Sequence, residues 1–388
     1  MPHFIALCIA LVVGATPAHA KDAIRIATFN AALNRPEAGA LRHALATPED
    51  AQAKAIAAII QQLRPDVLLL QEFDYDAGAK ALTAFHDTYL RVGQAGRKAI
   101  EYRYRWAVPT NTGLPTPFDL DRDGKTGGPG DAHGFGRHPG QYGYAILSRI
   151  PFDVGAVRTF QRFLWTDMPD ARLPSVPATK QPWYGPKALA TLRLSSKNHV
   201  IVPLRIGARA IYLLAAHPTP PVFDGPEDRN GRRNADEIRL LADALSPSTS
   251  GYLVDDAGQR GGLPPGAEFV ILGDLNADPV DGDSAGGAIA QLLDHPRVHP
   301  GVARGEAVPS SVGGRAHGAK PTHKGNPAHD TAEWGLRVDY VLPSRGLRVI
   351  DSGVYWPAPD AGEAALVTAT KARKAPTDHR LVWIDLAP

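Results

Sequence analysis

Asp274 and Asn276 stand two residues apart at the end of the apolar run in "FVILGDLNADPVDGDS", which puts a carboxylate and a carboxamide on one face of an emerging strand. The same arrangement, an apolar run closed by a polar group, recurs along the chain. Asn30 follows "IATF", Glu72 follows "VLLLQ", His217 closes "IYLLAAH", Asp339 sits in "RVDYVL", and Asp378 and His379 are adjacent in "TDHR". The set supplies four carboxylates, two carboxamides and two imidazoles. Carboxylates without a cysteine beside them suit a hard divalent cation, Mg²⁺ (or Mn²⁺), which takes one or two carboxylates and keeps places for water and a substrate phosphate. Two histidines suit proton transfer, and an aspartate can orient one of them. Taken singly, each residue has an ordinary structural use: Asn30 in a turn, Glu72 as a helix cap, His217 as a satisfied half-buried ring, Asp274 with Asn276 as an Asx-turn. Taken together they resist that explanation, because strand ends that share a sheet converge on one rim, where sheet enzymes assemble sites.

The elements that must position these groups are legible as apolar runs: "AIRIATFNAAL", "PDVLLLQEFD", "YAILSRIPF", "RAIYLLAAHPTPP", "EFVILGDLNAD", "LRVDYVLPS" and "HRLVWIDL". Between the first two lies "TPEDAQAKAIAAIIQQLRPD", a helix with Thr47 or Asp50 as cap and Pro65 as stop. "NADEIRLLADAL" predicts a second helix. A strand, helix, strand opening followed by many strands implies a mixed α/β architecture. Two long polar segments, at about 109–142 and 160–200, interrupt the pattern, and segments of that length in a compact fold are usually functional or disordered. Trp165, Trp183 and Tyr184 in the second could line an entrance, although capping the sheet edge is the plainer use.

The 388 residues allow two or three domains or one large sandwich with long loops. Charge excludes little: 42 Lys and Arg against 40 Asp and Glu give a formal +2, with no polyanion-binding signature in the total. The first 20 residues, "MPHFIALCIALVVGATPAHA", form a short apolar segment ending in a small-x-small pattern, which predicts a signal peptide cleaved after Ala20 and a secreted or periplasmic protein. Cys8, the only cysteine, falls inside it, so the mature chain from Lys21 has no disulfide. No later apolar run reaches the length of a membrane span. The expected unit is one catalytic domain over residues 21–388, acting as a monomer.

The ordered series Asn30, Gln71-Glu72, "GYAILS" at 143–148, His217, Gly273-Asp274-Leu275-Asn276, Asp339-Tyr340 and Asp378-His379 resembles the endonuclease/exonuclease/phosphatase superfamily. The resemblance spans nearly all of the mature chain. It implies a four-layer sandwich, two mixed β-sheets packed face to face and flanked by helices. It also implies a metal-dependent hydrolase of phosphate esters, with nucleic acid and phospholipid both open as substrate. By this resemblance Glu72 is similar to the metal-binding glutamate, with Asn30 beside it and Asp378 as a further metal-site acid. Asp274 and Asn276 match the pair that handles the attacking water and holds the phosphate, Asp339 matches the acid that orients His379, and His217 matches a histidine of the nuclease and sphingomyelinase branches.

Three features lie outside that pattern. Tyr144 stands where many relatives carry a smaller residue, so no phosphate contact is assigned to it. Arg229, Arg232 and Arg233 open the second helix and could meet an anion. Asp119, Asp121 and Asp123, followed by Gly124, resemble the first half of a calcium loop, whose bidentate glutamate is replaced by Gly130; a structural Ca²⁺ is one expectation and a solvated turn the other. A binuclear calcineurin-like phosphoesterase would need an Asp-x-His near the start and a Gly-Asn-His block, and the chain has neither. The non-enzymatic alternative is an extracellular, calcium-stabilised binding module on the same fold.

Overall fold

The computed structural model describes residues 23–318, 322–369 and 374–388. The expected signal peptide and its cleavage site lie outside the described residues. Eleven strands among them form two sheets. The first contains β1 (Ile24–Asn30), β2 (Val67–Gln71), β3 (Tyr104–Val108), β4 (Tyr144–Ser148), β10 (Val349–Val354) and β11 (Val382–Leu386), in the order β10-β11-β1-β2-β4-β3. The second contains β5 (Arg158–Thr159), β6 (His199–Ile206), β7 (Arg209–Ala216), β8 (Glu268–Asp274) and β9 (Asp339–Pro343), in that order. Each sheet is mixed: β1 runs parallel to β2 and β7 parallel to β8, and the other pairs are antiparallel.

Sequence explains the layering. β2, β4 and β9 are buried at every residue and read as near-continuous apolar runs rather than alternating ones, as strands covered on both faces must. On the inner face β1 packs on β8 and β9, and β2 on β8. The result is the expected sandwich of two mixed sheets with helices outside. Each fully buried Leu or Ile contributes roughly 1.5–3 kcal/mol of apolar burial, so the paired central strands carry much of the stability.

Each parallel pair needs a crossover, and each crossover carries one of the two long helices. Ala51–Leu63 buries Ala53, Ile56, Ala57 and Ile60, the i, i+3, i+4, i+7 stripe of a helix lying on a sheet. Asp50 is its cap, accepting from the Ala53 N–H at 2.8 Å, and Arg64 ends it in a left-handed conformation just before Pro65. Thr47 does not cap; its carbonyl accepts the Tyr89 hydroxyl instead. The second helix, Arg229–Ala244, begins five residues before the predicted Asn234.

The two long segments are tied to each other and to the sheet. Asn111 Nδ2 donates to the carbonyls of Gln161 (2.7 Å) and Ser195 (2.8 Å). Trp165 is wholly buried, its indole N–H donating to Asp236 Oδ2 at 2.7 Å, so this tryptophan is core and lines no entrance. No helix among the described residues is long and apolar enough to cross a membrane.

Candidate active site

Strand register brings the predicted residues together. Asn30 ends β1 opposite Gln71, which ends β2; Asp274 ends β8 opposite Asp339, which begins the antiparallel β9. His217 follows β7 directly. Gly273 lets these strands close up, because a Cβ there would lie 2.0 Å from the Ala216 carbonyl oxygen. Beyond the strand ends the chain turns sharply: Glu72 and Asn276 both hold φ of 52°, the left-handed region that non-glycine residues rarely occupy.

The centre of the site is one oxygen. Asp274 Oδ2 accepts a hydrogen bond from Asn30 Nδ2 at 3.0 Å and lies 3.5 Å from His217 Nε2 and 3.6 Å from His379 Nε2. The other oxygen, Oδ1, accepts from the Asn276 N–H at 3.1 Å. On its far side the His379 ring meets Asp339, with Nδ1 2.9 Å from Oδ2, and that oxygen also accepts the Thr331 hydroxyl at 2.8 Å. His379 is therefore held by its Nδ1 edge and turned with Nε2 toward Asp274. Trp334 packs edge-on against the ring at 5.0 Å between centroids.

Burial sets the charges. It pushes the Asp274 carboxyl up to about 7; His379 pulls against that rise and Asp339 adds to it. Burial also opposes a charge on the His379 ring, but Asp339 and Asp274 outweigh it and raise that pKa to about 10. His217 goes the other way: burial, with Lys197 and His379 nearby, holds its pKa well below the ordinary value. The site thus pairs a charged imidazole with a neutral one across a single carboxyl group.

Asn30, His217 and His379 thus converge on one buried carboxyl at the rim of a two-sheet sandwich. The signature of the endonuclease/exonuclease/phosphatase family covers residues 27–379. The chain belongs to that family. Its members are metal-dependent phosphoesterases and nucleases. Similar solved structures include an endonuclease/exonuclease/phosphatase from Beutenbergia cavernae DSM 12333 (18% identity, covering 95% of this chain and 72% of that one, TM-score 0.48). The human Nocturnin catalytic domain with bound sulfate anion is similar at 15% identity over 94% of this chain and 93% of that one, TM-score 0.47. Sphingomyelinase C from Streptomyces griseocarneus is similar at 16% identity over 94% and 99%, TM-score 0.47. No curated protein sequence matches the chain.

The family uses divalent metals, and the donor set here suits a hard cation. Glu72 is half-buried; Oε2 accepts from Asn34 Nδ2 at 2.9 Å, and Oε1 takes no hydrogen bond among the described residues, which leaves it free to ligate. Asn30 Oδ1 accepts the Ala32 N–H at 3.1 Å and keeps a second lone pair. Asp378 stands apart: its carboxylate is exposed, and its backbone oxygen accepts the Glu333 N–H at 2.8 Å. Asp274, Asp339 and His379 also offer ligand atoms within 4.8 Å of one another, although the hydrogen bond between Asp339 and His379 occupies the facing edges of that pair.

The features outside the pattern resolve individually. Tyr144 is core, its hydroxyl donating to the Asn198 carbonyl at 3.0 Å. Arg229 pairs with Glu227, and Arg233 donates to the carbonyls of Leu194 (2.8 Å) and Arg193 (2.9 Å), so neither is free for a substrate. Asp119, Asp121 and Asp123 do converge within 4.8 Å. Their turn is closed by backbone donors, with the Asp123 and Gly124 N–H groups bonded to Asp119, each at 3.1 Å.

Sequence reasoning placed Gln71 in the ordered series but gave it no role, and it is the residue that joins the two halves. Gln71 Oε1 accepts from the Asp274 N–H (2.9 Å) and the Thr28 hydroxyl (2.7 Å), while Nε2 reaches the Ala216 carbonyl at 3.4 Å. One buried amide therefore touches β1, β7 and β8 from the end of β2. Its signal was present, since Gln71 is the polar residue closing an apolar run. Thr331 and Asn34 carried no such signal.

Proposed function

We propose that the chain is a divalent-metal-dependent hydrolase of phosphate esters, with phosphodiesters as the substrate class. The observation that carries this reading is the convergence of Asn30, His217 and His379 on Asp274 Oδ2, with His379 anchored by Asp339. Glu72, with Asn30 as a further candidate ligand, would hold the cation, Mg²⁺ or Mn²⁺, which would neutralise phosphoryl oxygens and ease departure of the leaving oxygen; Asp378, expected as a further ligand, stands apart. Asp274 and Asn276 receive the attacking water and orient it toward phosphorus. As the water's oxygen bonds to phosphorus its proton passes to Asp274, the ester P–O bond breaks, and His379 Nε2 is placed to give its proton to the departing oxygen. His217 donates from Nε2 to a phosphoryl oxygen. The predicted signal peptide supports a secreted or periplasmic location, testable by finding Lys21 as the N-terminus of the exported protein.

The test is an activity panel on purified protein with Mg²⁺, Mn²⁺, Ca²⁺ or chelator, offering plasmid DNA, bis(p-nitrophenyl) phosphate, p-nitrophenyl phosphate and sphingomyelin. Chelation and Glu72→Gln should each remove most turnover, the substitution by on the order of 10²- to 10³-fold. Full activity in Glu72→Gln would take Glu72 out of the site. Silence on every phosphoester would end the reading.

A further inference from the structure

Lys197 belongs to none of the groups described so far. It lies two residues before β6, in the long segment that sequence analysis left without a role, and only 6% of its surface is exposed. A buried ammonium normally has a carboxylate or a full set of acceptors. This one has neither. Its sole hydrogen bond among the described residues is a long one, 3.5 Å from Nζ to the Pro218 carbonyl, which leaves two N–H groups without a partner. Glu237 is nearby, but its two oxygens are each taken at 2.6 Å, by the N–H groups of Ser196 and Thr219.

The position of the ammonium is informative. The Pro218 oxygen that receives Nζ also accepts Asn276 Nδ2, at 3.1 Å, so the lysine and the catalytic-pair asparagine flank one carbonyl immediately after His217. Lys197 is close enough to depress the pKa of His217 and to feel the charges of Glu72 and Asp274. Burial lowers the Lys197 pKa and the charges of Glu237, Glu72 and Asp274 pull it back up, so, with His217 held neutral, the ammonium beside Asn276 is supported by carboxylates around it that it does not touch.

We propose that Lys197 binds a non-bridging oxygen of the substrate phosphoryl group beside Asn276, the anion supplying the partner that the buried ammonium lacks. The proposal rests on the phosphoester reading of the same site and names its anion-binding cation. Lys197 keeps its proton in this role and takes no part in proton transfer. The signal in the sequence is "SSKNHV": a cation just before an apolar strand, on the rim where the other strands place their polar ends.

The experiment is binding of inorganic phosphate to chelator-treated protein, read as a thermal shift, together with hydrolysis of bis(p-nitrophenyl) phosphate in Mg²⁺. Lys197→Met keeps the length and removes the charge. It should melt no lower than the wild type, bind phosphate about 10- to 100-fold more weakly, as expected for one lost charge-assisted bond, and lose kcat/KM in similar proportion. Lys197→Arg should retain part of the phosphate affinity and carries the test if the methionine variant does not fold. Undiminished phosphate binding in Lys197→Met, or a wild type that does not bind phosphate, overturns the assignment. Phosphate binding that depends on Lys197 without hydrolysis of any ester would sink the reaction while leaving the anion site; normal hydrolysis by Lys197→Met would do the reverse.

Discussion

Replacing Asp339 with Asn tests whether Asp339 and His379 act as one unit. Asp339 uses its two oxygens unequally: Oδ2 receives both the Thr331 hydroxyl and the His379 ring, while Oδ1 is buried without a partner. An asparagine can keep its oxygen in the Oδ2 place and put its NH₂ where Oδ1 was, so shape and both acceptor contacts survive and only the charge is lost. A hydrogen bond to a charged group is worth roughly 1.5–3 kcal/mol, or about 10- to 150-fold in rate if all of it serves catalysis. His379→Ala removes the transition-state contact itself and should cost on the order of 10²- to 10³-fold in kcat. Without the ring there is nothing for Asp339 to orient, so the double variant should fall within a few-fold of His379→Ala. The assay is steady-state turnover of whichever phosphodiester proves active, across pH. Asp339→Asn also withdraws the largest of the carboxylate charges that raise His379 to about 10, so its ring should lose its proton at lower pH and the alkaline limb of kcat should move down. Losses that multiply in the double variant, with an unmoved limb, would refute the pairing.

Three further outcomes follow from the packing around the site. Gln71→Leu strands the buried Asp274 N–H and the Thr28 hydroxyl, and should cost about 1–3 kcal/mol for each unsatisfied group in urea unfolding; unchanged stability would deny Gln71 its joining role. Gly273→Ala drives a methyl group into the Ala216 carbonyl and should destabilise by about 1–3 kcal/mol or more, read as a lower Tm, and a wild-type melt would contradict the close approach. His133 is pulled down to about 4 by burial and by Arg193 and Arg233, so the unfolded chain takes up a proton near 6.5 that the folded chain refuses until about 4. Stability contributed this way is full above 6.5 and lost as pH falls toward 4; His133→Gln should flatten that part of the Tm-against-pH curve, and a curve parallel to wild type would show that His133 does not cause it.

The fold was most legible where strands are buried on both faces. All seven apolar runs became strands, because a run such as "VLLLQ" has no solvent-facing side to disguise it. β3, β5, β6 and β10 went unread for physical reasons, β5 because it is only two half-buried residues, Arg158–Thr159. β3 and β10 are partly exposed, with Arg105 and Asp351 among their residues, and β6 carries Pro203 and Arg205. That omission had a consequence, since the rim residue just before β6 is Lys197. Within the site, the residues at strand ends could be read from position alone. Thr331 on Asp339, Asn34 on Glu72 and the reach of Gln71 to Asp274 depend on contacts across 8, 38 and 203 residues of sequence, and only the last begins from a residue that a local pattern marks.

The left-handed turn at Glu72 makes the molecule's chemistry and its durability pull apart. An L-residue with a Cβ held at φ 52° stores on the order of 1 kcal/mol that glycine would release and asparagine would lessen, and the rest of the fold must carry that load. If Glu72 holds the cation as proposed, a form relieved of strain by Gly in place of Glu72 gives up the reaction. A descendant relieved of hydrolysis and kept only for its shape would shed the glutamate early, as a gain rather than as damage. Under the proposed role of Glu72, the residue at this turn then separates, among chains sharing the sandwich, those still held to the reaction from those that have left it.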